Sequence, residues 1–224
     1  MESSARTAGG RSAELKASPP LTGSRLLDRS LRVKPRVAIA LFTPVIAAFA
    51  VLALLRMSPL QTLAWAAGGY LLWTLNEYWM HRVVLHFEPE HGLGAYLHWM
   101  FHGAHHDHPN NPGFVVAPPI VSIPLGGLFA AAFYLVLGSP AWLGFTAGFM
   151  AGYLLYDVVH YRIHQRRPRT RVGRLLREQH MRHHFQDGSR GFGVTAPYWD
   201  RVFGTALARR RGLLGRRGAR DGAA

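Results

Sequence analysis

The sequence predicts an all-α integral membrane protein: four transmembrane helices in two hairpins, with a cytoplasmic helical cap holding a histidine-rich dimetal site. Three observations carry this prediction. Hydrophobic residues, 49% of the 224, are gathered into long uncharged blocks rather than spread as amphipathic stripes. The net charge of +14 sits almost wholly in two tails, with eight Lys or Arg in residues 1–36 and sixteen Arg in residues 162–224. Ten histidines fall into four clusters, each just past an apolar stretch. A basic chain is often a nucleic-acid binder. Here the apolar blocks between the tails favour the positive-inside rule and attraction to anionic headgroups, and no nucleic acid is expected.

The elements follow in order. Residues 1–35 are rich in Ser, Ala, Gly, Arg and Pro and read as a mobile basic N-terminal tail. A membrane domain follows over 36–205. Its first span, 37–55, holds no charge in 19 positions, enough to cross a bilayer as a helix, with Pro44 a candidate kink. Arg56-Met57-Ser58-Pro59 is a short turn into a second span over 60–80. A polar stretch, 81–113, carries two of the histidine clusters. The third span covers 118–137, and Pro118 and Pro119 put the start of its helix proper near Ile120. Gly138-Ser139-Pro140 turns into the fourth span, 141–159, and residues 206–224 form a basic C-terminal tail. No A-x-A-like cleavage site follows the first apolar run, so no secretory signal is expected.

Two hairpins with short outer turns put both termini and the 81–113 loop on one side. The basic tails make that side cytoplasmic, and every clustered histidine then lands there. The fourth span also carries Gly144, Gly148 and Gly152, a small-residue ridge that lets helices approach closely in lipid. Continued by fours, the ridge leads to Tyr156, His160 and His164.

The clusters are His81 and His86; His102, His105 and His106; His160 and His164; and His180, His183 and His184. Neutral imidazole is the commonest protein metal ligand. One zinc takes three or four protein ligands, so ten suit two ions with about five each. The absence of cysteine removes thiolate zinc sites, iron–sulfur clusters and disulfides. His160 and His164 share a helix face at i, i+4, and each trio converges if helical. His81 and His86 lie some 140° apart on a regular helix. Either the helix bends before Pro89 or the two address different metals. His91 and His108 read as core or loop residues, and His98, one turn before His102, stands open between ligand and bystander. Glu77 and Asp157, in apolar surroundings, are the candidate carboxylates to orient ligands or bind a metal edge. Iron, zinc, copper and nickel all suit imidazole. A lipid substrate favours a redox metal, because oxidising an alkyl C–H bond needs dioxygen and a change of valence, and zinc is redox-silent.

The four patterns, HX4H, HX2HH, HX3H and a final HX2HH, occur in the order that marks the fatty acid hydroxylase superfamily, relatives of sterol desaturases, and the chain resembles it over roughly residues 70–205. The likeness is greatest to the fatty acid 2-hydroxylase branch. It is carried by His98-Trp-Met-Phe-His102-Gly-Ala-His105-His106, by Gly152-Tyr-Leu-Leu-Tyr-Asp157-Val-Val-His160-Tyr161-Arg-Ile-His164, by His180-Met-Arg-His183-His184-Phe185, and by Gly191-Phe192-Gly193-Val194 with Trp199-Asp200. The resemblance implies a four-helix membrane scaffold, a dinuclear centre of two iron ions (zinc in place of iron being the alternative), and oxygen-dependent hydroxylation of a fatty acyl chain. It carries the ten histidines over as ligands.

The N-terminal tail is too short for the fused cytochrome b5 domain found in some relatives. Electrons are therefore expected from a separate carrier such as cytochrome b5, or ferredoxin with its reductase, docked on the basic face. Three alternatives stay open: a sterol or carotenoid hydroxylase or desaturase with the same site, a zinc-dependent hydrolase, and a non-catalytic membrane metal-binding protein or transporter. Arg-rich, Lys-poor, Ala- and Gly-rich usage points to a bacterial inner membrane, with an endoplasmic reticulum location as the alternative.

Overall fold

The computed structural model describes residues 10–208, and the regular elements among them are helices. The chain runs through α1 (Arg25–Leu31), α2 (Pro35–Leu54), α3 (Pro59–Trp79), α4 (Gly92–His98), α5 (Ala104–Asp107), α6 (Pro119–Leu137), α7 (Ala141–Gln165), α8 (Arg171–Phe185) and α9 (Tyr198–Val202). Two π-helical turns interrupt it, at Met80–Leu85 and Trp99–Gly103.

The helix limits follow local chemistry. Pro35, Pro59 and Pro119 open α2, α3 and α6, where a missing N–H costs nothing. At α3 a capping box closes the end: the Ser58 N–H donates to Gln61 Oε1 at 3.1 Å and the Gln61 N–H to Ser58 Oγ at 3.3 Å. Gly138, at φ 65°, ends α6 in a conformation that favours glycine. Pro44 and Pro124 lie inside helices that continue through them.

α2, α6 and α7 are long and apolar enough to cross a membrane. α3, expected as a span, is as long, but Gln61, Thr62, Asn76 and Glu77 make it less apolar than the other three. The spans differ in burial. Half of the α7 window is buried against 17% for α2 and α6, which makes α7 the central helix and leaves the other two facing outward.

The glycine ridge does what its spacing predicts. A Cβ on Gly148 would collide with the Ala66 carbonyl, and one on Gly152 with the Trp73 side chain. On α3, Gly69 is pressed in the same way against the Phe145 carbonyl, so α3 and α7 interlock backbone to backbone. Trp73 then fills the space above, edge-on to Phe149 and Tyr153.

Of the tail expected over 1–35, residues 1–9 lie outside the described part and residues 10–34 fold back onto the polar loop. Leu21 and Leu31 are buried with Ala104, against Trp99, Met100 and Phe114. The Asp28 carboxylate closes the turn before α1 by accepting from the Leu21 and Thr22 N–H groups at 3.1 and 2.8 Å. His108 holds the Glu14 carbonyl through Nδ1 at 2.7 Å, and Asn111 Nδ2 donates to the Ala17 carbonyl at 2.7 Å. Of the C-terminal tail, residues 209–224 lie outside the described part.

Candidate metal centre

Three pieces of backbone aim the histidines. α7 runs on past its apolar stretch and presents His160 and His164 one turn apart. α8 carries His180, His183 and His184, and it is locked to α7 by Arg177, whose guanidinium donates to the carbonyls of Ile163, His164 (3.3 Å) and Arg166 (3.4 Å). A cation over the last carbonyls of α7 also suits the helix dipole. The third piece is the pair of π turns, the second of which runs on into α5 with His105 and His106.

The first π turn resolves the question of His81 and His86. The His86 N–H donates to the His81 carbonyl at 3.2 Å, an i→i+5 bond that winds five residues into one turn. Both rings therefore fall on one side, their centroids 5.0 Å apart. The second π turn carries His102 to the same place, 4.9 Å from the His86 ring and 5.1 Å from the His81 ring.

The ten rings sort into two groups. His105, His160, His164, His180 and His184 form one, with a ligand nitrogen from each lying within 4.8 Å of the others. His81, His86, His102 and His106 form the other by the same measure. His183 completes the second, with its Nε2 3.0 Å from His86 Nε2 and its ring 4.7 Å from His81 and 5.1 Å from His106. Each HH pair is split between the groups, so adjacent side chains diverge to His105 and His184 on one side and His106 and His183 on the other. The His106 and His184 rings stack at 4.2 Å where the groups meet. His98 stands outside both, half-buried, and His91 is exposed beside Glu90.

The donor set fits a metal. His180 Nε2 lies 2.9 Å from His160 Nε2, 2.8 Å from His164 Nε2 and 3.1 Å from His184 Nε2. A single N–H satisfies one such neighbour, not three. Ligands bound at 2.0–2.1 Å lie about 2.9–3.4 Å apart on one ion, so a shared cation accounts for the crowding. His81 Nε2, His106 Nε2 and both ring nitrogens of His105 are buried with no hydrogen-bond partner, which is costly unless something else binds them.

Two tautomers in the second group are set by one loop. His81 Nδ1 meets the Phe192 carbonyl at 2.6 Å and His183 Nδ1 the Arg190 carbonyl at 2.7 Å. An Nδ1 proton held by a carbonyl leaves the Nε2 lone pair free for a metal. The loop is clamped in turn by Asp200, which accepts from the N–H groups of Phe192 (2.8 Å) and Gly193 (2.9 Å) and from Thr205 Oγ1 (2.8 Å). Gly191, at φ 79°, lets the loop turn there and donates to the Thr205 carbonyl. Thr205 also meets Tyr78 Oη at 2.9 Å, beneath His81.

Neither expected carboxylate bonds to an imidazole. Glu77 accepts from the Thr195 N–H at 2.7 Å and from the Thr195 hydroxyl, so it holds the far end of the loop that steers His81. Asp157 is fully buried, receives the Ala117 N–H at 3.5 Å through Oδ1, and faces a cavity with Oδ2 unpartnered. Asp200, Thr195 and the two loop carbonyls were not singled out from the sequence for any role. The Gly-Phe-Gly run before Trp199-Asp200 was their only trace.

Burial and crowding favour the neutral form of these imidazoles. His81, His102, His105, His180 and His184 are all held well below the ordinary histidine value, first by burial and then by one another. Burial and the His183 charge lower His86 to about 4, and the same two causes lower His106 to about 2. These groups offer lone pairs at neutral pH.

A cavity of about 300 Å³ reaches from the histidines into the helices. His81, His102, His105 and His160 edge it, and its walls come from α3, α6 and α7, from Phe42 of α2, from Leu21 and Leu31 of the N-terminal segment, and from Met100, Phe101 and residues 114–118. Those walls are apolar but for a few groups, Ser122, Tyr153 and Asp157 among them.

A membrane-embedded helical protein with ten histidines at one end of an apolar cavity is what the fold and site define. The family model described as fatty acid hydroxylase matches residues 66–205, and the chain belongs to that family. It is 38% identical over 141 residues to the dihydroceramide fatty acyl 2-hydroxylase FAH1 of Arabidopsis thaliana, covering 61% of this chain and 58% of that protein. To the ceramide very long chain fatty acid hydroxylase SCS7 of Saccharomyces cerevisiae it is 33% identical over 196 residues, covering 86% of this chain and 50% of the relative. To the human fatty acid 2-hydroxylase it is 35% identical, covering 61% of this chain and 38% of that one. The chain thus spans between 38% and 58% of the length of these relatives. The solved structure of full-length scs7p, with only the hydroxylase domain visible, superposes with a TM-score of 0.79 at 32% identity, covering 86% of this chain and 74% of that one.

Proposed function

We propose that the protein is a membrane-bound di-iron oxygenase that hydroxylates a fatty acyl chain at the 2-position. The observation that carries this reading is the two histidine groups, completed by His183, at one end of an apolar cavity. His105, His160, His164, His180 and His184 would hold one ion and His81, His86, His102, His106 and His183 the other. When bound, the two ions supply activation of dioxygen for C–H oxidation, which redox-silent zinc does not. Two electrons and two protons complete each turnover, with one oxygen atom entering the substrate and the other leaving as water.

The chain's own residues do the rest. The cavity walls exclude water and align the alkyl chain, which puts the carbon next to the carbonyl beside the histidines. The carbonyls of Phe192 and Arg190 hold the Nδ1 protons of His81 and His183 and keep their Nε2 atoms directed inward. The 2-position is supported by the names of the relatives.

In this reading α3 crosses the membrane beside α7, giving four spans. The histidine end faces the cytoplasm of a bacterial inner membrane, because Arg166, Arg167, Arg169, Arg171 and Arg174 follow α7 there while Arg56 is the lone basic residue at the outer turns. A separate carrier delivers electrons on that basic surface. A transporter is disfavoured because its site belongs near mid-membrane, and these groups sit beyond the apolar spans.

The test is mass-spectrometric lipid analysis of a host expressing this chain, with a competent electron donor, beside the same host expressing His183→Ala. Acyl species heavier by one oxygen are expected in the first alone, with fragmentation placing the hydroxyl next to the carbonyl. A hydroxyl elsewhere would reassign the position, and identical lipids in both hosts would sink the reading.

A further inference from the structure

The cavity has a floor, and its distance from the histidines can be measured along α7. The α7 positions that line it run from His160 back to Met150 and Phe149. That length of helix covers about 15–16 Å. There the space closes on aromatic rings. Phe149 packs against Phe129 of α6 at a centroid distance of 4.8 Å, and the buried Phe133 backs it at 5.0 Å. Just short of the floor stands Gly126 of α6. A Cβ there would lie 3.6 Å from Met150 Cε and 3.8 Å from Phe42 Cε1, in ordinary contact. Gly126 lines the cavity, with Met150 of α7 and Phe42 of α2 as its neighbours in the same wall.

We propose that Gly126 and Phe129 measure the acyl chain. The inference rests on the hydroxylase reading, with the carbonyl end at the histidines and the tail running toward Phe129. A zigzag alkyl chain advances about 1.25 Å per carbon from ordinary C–C bond geometry, so this depth takes about a dozen methylenes. A saturated chain of about fourteen to sixteen carbons then fills the cavity. The very long chains named for the yeast relative would overrun the floor. Phe129 sets the limit, and Gly126 keeps the last stretch open because any larger side chain would occupy it.

The test uses the full chain, purified with its metals, and saturated fatty acids of graded length displacing a fluorescent polyene fatty acid. Affinity is expected to climb about fourfold per added carbon and to stop climbing at about fourteen to sixteen carbons. Gly126→Leu moves that break about three or four carbons shorter, the distance from Gly126 to Phe129 along α6, and Phe129→Ala moves it longer. Retained metal content certifies that both variants fold. With an electron donor added, the lengths of the hydroxylated products shift in step.

A break at the same length in all three proteins, or a shift in the same direction in both variants, overturns the ruler. The two readings fail separately. Breaks that move without any hydroxylated product would keep the ruler and bring down the hydroxylase. Hydroxylated products of unchanged length would do the reverse.

Discussion

At the scale of single residues, protonation governs the site. The clustered imidazoles on the π turns, α5 and α8 have folded pKa values below the unfolded value near 6.5. Stability from keeping them neutral is complete above that value and is lost as pH falls toward the folded values, to about 4 for His86. The melting temperature of metal-free protein should hold between pH 8 and 7 and drop steadily from about pH 6.5 downward. A curve flat to pH 4 would show that the rings are not held neutral by the fold.

Asp200 acts at the same scale but through others, since it grips the loop whose carbonyls fix His81 and His183. Removing a partner of this kind typically weakens metal binding about 10- to 100-fold. For Asp200→Asn that loss is expected in the second group, with the first keeping its affinity. Metal titration of wild type and variant checks it, and two sites weakened alike would mean general unfolding instead. Asp200 is legible in the sequence only as part of the Trp199-Asp200 resemblance, without a role. Two of its partners are peptide N–H groups, which leave no side-chain signature in a sequence.

At the scale of elements, the helices that sequence pattern controls directly came through. The apolar blocks, the Pro-rich start of α6 and the two short turns are local features, and local features set local structure. The glycine ridge was legible for the same reason. Its consequence is testable: Gly148→Val pushes a side chain into the Ala66 carbonyl. Over-packing of this kind typically costs about 1–3 kcal/mol. A lower melting temperature and a smaller yield of monodisperse protein are expected, while the same change at Gly127, with open space around it, leaves both unaltered.

What pattern does not encode is the π turn. Met80–Leu85 contains no residue that demands i→i+5 bonding, and a regular helix separates His81 from His86. The folding back of residues 10–34 was also hidden, because it depends on single contacts such as Leu21 with Ala104 across most of a hundred positions.

At the scale of the whole molecule, the groups that come together are far apart in sequence. Glu77 meets Thr195 and Tyr78 meets Thr205 across more than a hundred residues. The motif spacings mark the ten histidines, and only the fold shows how they divide into two groups. The split of His105 from His106 and of His183 from His184 ties both groups to the same two backbone segments.

The first π turn carries a consequence for chain length. Histidines at i, i+5 on a π turn and at i, i+4 on an α turn are equivalent ways of stacking two rings, and His160 and His164 use the second. A chain that lost Val83 or Val84 would pass from one to the other and keep its pair aligned. A chain that gained a residue there would have no regular helix left to realign them. The segment is poised to tolerate shortening and to fail on lengthening, an asymmetry that a comparison of amino-acid identities alone would never reveal.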